Sequence, residues 1–203
     1  MSILNGLLDQ LLNRNSSRGP AGQAELSSQP DQPLPFGYKT AWLAVRCEKP
    51  EWVISALEPF SRQPANWATG LARVDKKENC VFVSPCLEGW VLAVGIGVTH
   101  RDWDQIAKNF PEVQAFASQR VSDSYTWKKY EQGICRRYFC VNDGTPLFSE
   151  GELTEAEQAL GLGETDRLPD EETVLDIAAA WGFDPRMEGK DYPPSCGWVC
   201  EME

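Results

Sequence analysis

Residues 80–94 read Cys-Val-Phe-Val-Ser-Pro-Cys-Leu-Glu-Gly-Trp-Val-Leu-Ala-Val. Two runs of β-branched, aromatic and aliphatic residues, 80–84 and 90–94, flank a segment with proline at one end and glycine at the other. That is the signature of a hairpin. Both arms are apolar almost without a break, which places them in the interior of a sheet with both faces covered.

Upstream, residues 40–46 (Thr-Ala-Trp-Leu-Ala-Val-Arg) form another strand, followed by Pro50 and an amphipathic helical stretch over 51–57. Residues 66–74 read as a second strand, weakened by Gly70. Downstream, 101–109 is a short helix with Trp103, Ile106, Ala107 and Phe110 on one side. A meander follows over 113–121, 125–131 and 134–141. Ser122-Asp123 and Gln132-Gly133 supply its turns, and Asn142-Asp143-Gly144 closes it. The run 113–119 fits a helix equally well, because short apolar stretches do not decide between the two.

From Glu150 the pattern becomes helical. Thr154 and Glu157 have capping-box spacing. Asp170 caps a second helix, Val174, Ile177, Ala178 and Trp181 form its apolar stripe, and Gly182 stops it. The fold class expected is α+β: a mixed, mainly antiparallel sheet from residue 36 to about 148, with packed helices and a helical acidic C-terminal section from about 150. At the other end, Ile3, Leu4, Leu7, Leu8, Leu11 and Leu12 line one side of a short helix, and residues 13–35, rich in Ser, Gln, Gly and Pro, read as a flexible linker. The domain reading is therefore 1–35 as helix and linker, and 36–203 as one α+β domain.

Charge divides the chain unevenly. The whole carries a formal −11 over 203 residues. From Glu150 onward there are 15 acidic and 3 basic residues, a net of −12, whereas residues 1–149 hold 15 and 16, a net of +1. Such a balance argues against nucleic acid as the partner. Lys128, Lys129, Arg120, Arg136 and Arg137, interleaved with Tyr125, Trp127, Tyr130 and Tyr138, resemble a single-strand platform. They also fit the outer face of a sheet, or internal pairing with the acidic helices.

The N-terminus lacks a basic region, and Asn5, Gly6 and Asp9 interrupt its apolar residues, unlike a secretory signal. No run approaches the roughly 20 apolar residues of a membrane span. The seven cysteines (Cys47, Cys80, Cys86, Cys135, Cys140, Cys196, Cys200) then read as reduced thiols in a cytoplasm. Cys135/Cys140 and Cys196/Cys200 invite a four-thiolate zinc. A strand over 134–141 puts Cys135 and Cys140 on opposite faces, so no metal and no cofactor is expected.

Catalytic signatures are sparse. His100 stands where a dinucleotide fingerprint beginning at Gly95 and Gly97 needs its third glycine, and there is no P-loop, H-E-x-x-H or G-x-S-x-G. His100 is the chain's one histidine, so any imidazole base would have to be built there.

Phe82-Val83-Ser84-Pro85 with Gly89 to Gly95, then Arg136-Arg137-Tyr138 and Asn142-Asp143-Gly144, resemble a group of bacterial cytosolic proteins. In size, acidity and lack of catalytic signatures the chain is similar to immunity proteins of toxin systems. This resemblance spans residues 36–190 and supplies no catalytic residues. It implies a protein that binds a toxin domain and blocks its active site.

The function expected is a non-enzymatic binding protein, an immunity protein that neutralises a basic toxin domain through an acidic surface. Glu155, Glu157, Glu171, Glu172 and Asp176 carry that surface, with Trp198 as an exposed aromatic anchor. The alternatives are a small enzyme with a pocket near the 95–100 turn, or an adaptor docking through the N-terminal helix.

Overall fold

The computed structural model describes residues 25–163 and 168–203. Nine strands make one sheet: β1 (Ala41–Arg46), β2 (Ser61–Asn66), β3 (Cys80–Val83), β4 (Trp90–Val94), β5 (Glu112–Gln119), β6 (Ser124–Glu131), β7 (Ile134–Asn142), β8 (Thr145–Glu150) and β9 (Cys196–Glu201). Their spatial order is β2-β9-β3-β4-β1-β5-β6-β7-β8. Every neighbouring pair is antiparallel. Among the described residues, helix accounts for only 24% against 35% strand.

The expected mixed α+β arrangement is therefore wrong. This is a sheet-dominated, wholly antiparallel fold. Helices between successive strands suggest parallel crossovers. Here, however, β1 and β2 are not neighbours, and the helix between them carries the chain to the far edge of the sheet.

The hairpin lies in the sheet interior, as its composition requires. Phe82 pairs with Val94 and Val83 with Ala93, and all nine residues of β3 and β4 are buried. Alternation along β1 shows how the two faces divide. Trp42 and Ala44 enter one core with Phe82, Leu92, Phe116 and Trp127, whereas Leu43 and Val45 enter the other with Val81, Val91 and Val113.

Helices α1 (Pro50–Leu57) and α3 (Trp103–Ala107) cover the second face, through Val53, Ile54, Leu57, Trp103 and Ile106. Helices α2 (Trp67–Val74) and α5 (Glu171–Trp181) cover the first, through Trp67, Val74, Val174, Ile177 and Trp181. The short α4 (Glu155–Ala159) packs against α5.

Residues 67–74, read as strand, are helix. Asn66 has extended backbone, and its side chain accepts from the Thr69 amide at 3.0 Å, so it is an N-cap. Trp67, Gly70 and Val74 then fall on one buried helical face. Gly70 faces the Phe82 ring so closely that a Cβ would collide with it, which lets α2 settle onto β3.

The segment after Pro193-Pro194 is not loose. It is β9, threaded between β2 and β3, with Trp198 opposite Pro64 and Val83. The acidic C-terminal section thus ends in strand rather than helix. The capping box at Thr154 and Glu157, and the Asp170 cap of α5, both form. Strand β8 had no counterpart in the sequence reading.

The leucine-rich stretch 3–12 lies outside the described residues. The second half of the expected linker is tied to the body. The Asn66 amide donates to the Ser27 carbonyl at 2.6 Å, the Trp67 amide donates to Asp31 at 2.7 Å, and Asp31 bridges to Ser195. No helix of the described residues is long and apolar enough to cross a membrane.

Candidate functional site

The largest acidic cluster of the sequence is taken apart by folding. Glu157 has no exposed side-chain surface and meets Arg137, itself 2% exposed, at 2.8 Å. Glu171 is also withdrawn: it accepts from the Lys39 amide at 3.0 Å and from the Ser118 hydroxyl at 3.3 Å, with Arg120 at 3.8 Å. Glu172 accepts from the Tyr38 hydroxyl at 2.8 Å, and this hydrogen bond is the main cause that raises the Tyr38 pKa. Asp176 pairs with Arg186 at 2.8 Å, and Arg186 also reaches Asp184 and Glu172. Ringed in this way, with the Asp184 hydrogen bond the largest cause, Arg186 holds its proton more tightly than usual.

Only Glu155 of the five is exposed without an ion-pair partner among the described residues. Trp198 does not join them. It packs against the opposite core and lies half-buried under the Arg62 guanidinium, 5.0 Å from ring centroid to cation. A continuous negative cap with an aromatic anchor is therefore not what these six residues build.

Most of the basic and aromatic residues of the meander are likewise turned inward, although Arg120 and Arg136 stay exposed. Trp127, Tyr130 and Tyr138 are buried, and Lys128 sits beneath the surface between Asp104 at 3.3 Å and the Tyr130 hydroxyl at 3.0 Å. Burial, with Asp104 beside it, pushes the Tyr130 hydroxyl far above its ordinary range. This face offers no row of stacked aromatics to a nucleic-acid strand. Around Gly95 and His100 the chain forms a 3-10 turn (Ile96–His100) packed on β1 and β3, with Gly97, Val98 and Thr99 buried.

A concavity lies elsewhere, at the β6–β8 end of the sheet. It is a half-open cavity of about 430 Å³. Trp127 and Phe139 are stacked at 4.3 Å as one wall, and Pro146, Leu153, Leu162 and Leu168 supply the rest of the apolar lining. Arg137, Glu157 and Ser149 are its polar members.

Local sequence explains the assembly. Arg137 and Phe139 alternate on β7, so both point to the α4 face, and Trp127 stands directly opposite Phe139 on β6. Glu157 is held over them by its own capping box, in which the Thr154 amide and hydroxyl both donate to Oε2 at 2.9 Å. Oε1 accepts from Trp127 Nε1 at 2.9 Å. The guanidinium Nη1 donates to the Tyr138 and Glu150 carbonyls and to Ser149 Oγ.

Buried polar groups need such partners, and here both carboxylate oxygens of Glu157 and the Nε and Nη1 of Arg137 bond to the protein itself. The pair fixes α4 onto β7. It leaves the cavity to read shape and apolar surface.

Around this cavity the surface is acidic. Glu152 precedes the lining residue Leu153, and Glu155 opens α4. Both are exposed, and neither has an ion-pair partner among the described residues. Sequence reasoning found Glu155 but missed the cavity, because its walls come from β6, β7, β8 and the segments around α4. The signal present was the alternation of Arg137 and Phe139 opposite Trp127. Set against family models, curated proteins and solved structures, the chain gives no match.

Proposed function

We propose that the protein is a non-enzymatic binding protein that holds a basic protein partner at the α4 end of its sheet, with one apolar side chain of that partner seated in the cavity. One observation carries this reading: an apolar, half-open cavity edged by exposed carboxylates that have no ion-pair partner among the described residues. A buried apolar anchor supplies most of the affinity of such an interface, and the charged rim steers the partner and rejects acidic competitors. A toxin domain whose own cleft is positive because it binds a phosphate backbone has the required chemistry. The acidic excess works at the rim of this cavity, through Glu152 and Glu155, and not as a sheet of negative charge over α5.

The test uses the full chain as bait in an extract of its own host, at low and high salt. Wild type is run beside Ser149→Trp, which fills the cavity from an exposed position, and beside Glu152→Lys/Glu155→Lys. A basic protein should be retained by wild type, lost with Ser149→Trp at either salt, and retained by the double variant with its salt dependence reduced. Unchanged thermal melting of the variants establishes that they fold. A bound protein indifferent to both substitutions sinks the reading.

A further inference from the structure

The sheet has two edges, and they are treated differently. At β2, Pro64 removes a donor from the middle of the strand, and residues 27–31 hydrogen-bond across its end, through the Ser27 and Gln29 carbonyls to Asn66. That edge is interrupted by the proline and capped at Asn66. Among the described residues, β8 pairs with β7 and with no other strand. Thr145, Pro146, Leu147, Ser149 and Glu150 are exposed, Leu147 to 40%. Its proline stands near the start of the strand, so Leu147 to Ser149 keep their amides. An exposed apolar edge of this kind is a template for another strand.

We propose that the partner is recognised as a tenth strand, an extended basic segment that hydrogen-bonds along β8 from Leu147 to Ser149 and drops one apolar side chain into the adjacent cavity. This rests on the binding reading above and specifies its geometry. Pro146 and Ser149 of β8 both line the cavity, so a strand added about 4.8 Å further out lies at its mouth. Alternation then sends every second side chain toward the cavity, and the side chains between them toward the other face, where Phe148 stacks on Tyr138 at 5.2 Å. Charge selects the occupant. A second copy paired edge to edge would bring its own Glu152 and Glu155 against these two, whereas a lysine- or arginine-bearing segment meets them as counter-charges.

The probe is a capped octapeptide of alternating leucine and lysine, added to the full-length protein, with amide hydrogen exchange as the readout. Exchange at those amides between Leu147 and Ser149 that point away from β7 should slow by about tenfold or more, while amides of β2 stay unchanged. Two N-methylated versions of the peptide, blocked at alternate amides, should behave differently: the one blocked toward β8 loses binding and the other keeps it. Peptide binding that Ser149→Trp abolishes while β8 exchange is untouched overturns strand addition and leaves the cavity reading standing. Equal loss with both methylated peptides, or no binding, also overturns it, while the extract experiment decides the cavity reading separately. Slow β8 exchange that appears without peptide, and grows with protein concentration, assigns the edge to a second copy and overturns the proposal.

Discussion

Arg137 on β7 and Glu157 on α4 hold each other across the cavity floor, with Nε 2.8 Å from one carboxylate oxygen and 3.0 Å from the other and both side chains out of water. The same carboxylate closes the capping box of its own helix, so a single residue joins α4 to the sheet and sets the helix start.

Breaking that pair from one side leaves a charge buried without its counterpart. Arg137→Leu or Glu157→Leu should each cost about 3–5 kcal/mol in urea unfolding. The double variant should be destabilised by clearly less than the two costs added together, with a coupling on the order of 2 kcal/mol. Additive losses would mean that the two side chains act independently.

Two glycines set strand and helix spacing, and they differ in what a methyl group would strike. At Gly197 a Cβ runs into the Val83 carbonyl of the paired strand; at Gly70 it runs into the Phe82 ring. A backbone neighbour cannot yield without breaking the ladder. Gly197→Ala should therefore lower thermal stability more than Gly70→Ala, for which overpacking of about 1–3 kcal/mol is expected. The reverse order, read by calorimetry, would contradict the β9 placement.

The thiols should fall into separate reactivity groups. Cys80, Cys140 and Cys200 are buried, and burial pushes Cys200 up to about 12 and the half-buried Cys47 to about 11. Because the thiolate is the reactive form, timed alkylation at neutral pH followed by mass spectrometry should label exposed Cys135 first. The three buried cysteines should react only after denaturant is added. Early labelling of Cys140 or Cys200 would show that the sheet opens in the native state.

The Lys77 ammonium lies 2.7 Å from Glu201, and this hydrogen bond holds the Glu201 carboxyl below its ordinary value of 4.5. A carboxyl depressed by folding stabilises the native state above its unfolded pKa and loses that contribution as pH falls through the folded value. Glu201→Gln should accordingly be destabilising at neutral pH, by less than about 1 kcal/mol because both side chains are partly exposed. The gap to wild type should close as the pH drops well below 4.5. Stability curves that stay parallel over that range refute the coupling.

Arg186 answers three carboxylates at once, from Glu172, Asp176 and Asp184. Arg186→Leu should leave them repelling one another, so the loss should be larger at low salt than at high salt and amount to about 1 kcal/mol. A salt-independent loss would point to packing of the Arg186 stem instead.

What could be read in the sequence follows local rules. The hairpin of β3 and β4 was legible because Pro85 and Gly89 punctuate two β-rich runs, and the meander because its turns carry Asp123 and Gly133 at positive φ. The helix at Trp67 was missed although its cap, Asn66 three residues before Thr69, was visible. A short apolar run does not declare its period.

Non-local pairing was harder to see. β9 is recognised only by partners more than 110 residues away, such as Val81 opposite Cys200. Glu157 looked like a solvated helix residue because the capping box describes one end of its carboxylate and says nothing of Arg137, 20 residues upstream on another element. Pattern gave the box, and only the tertiary fold supplies the guanidinium.

The position of β9 has a consequence for synthesis. β2 reaches the rest of the sheet only through a strand made some 130 residues later. A nascent chain that has not yet emerged as far as Cys196 holds β3 as a raw border and leaves β2 without a partner strand. Assembly of that flank waits for residues 196–201 to leave the ribosome, so it is there, rather than at β8, that a chaperone has most to shield.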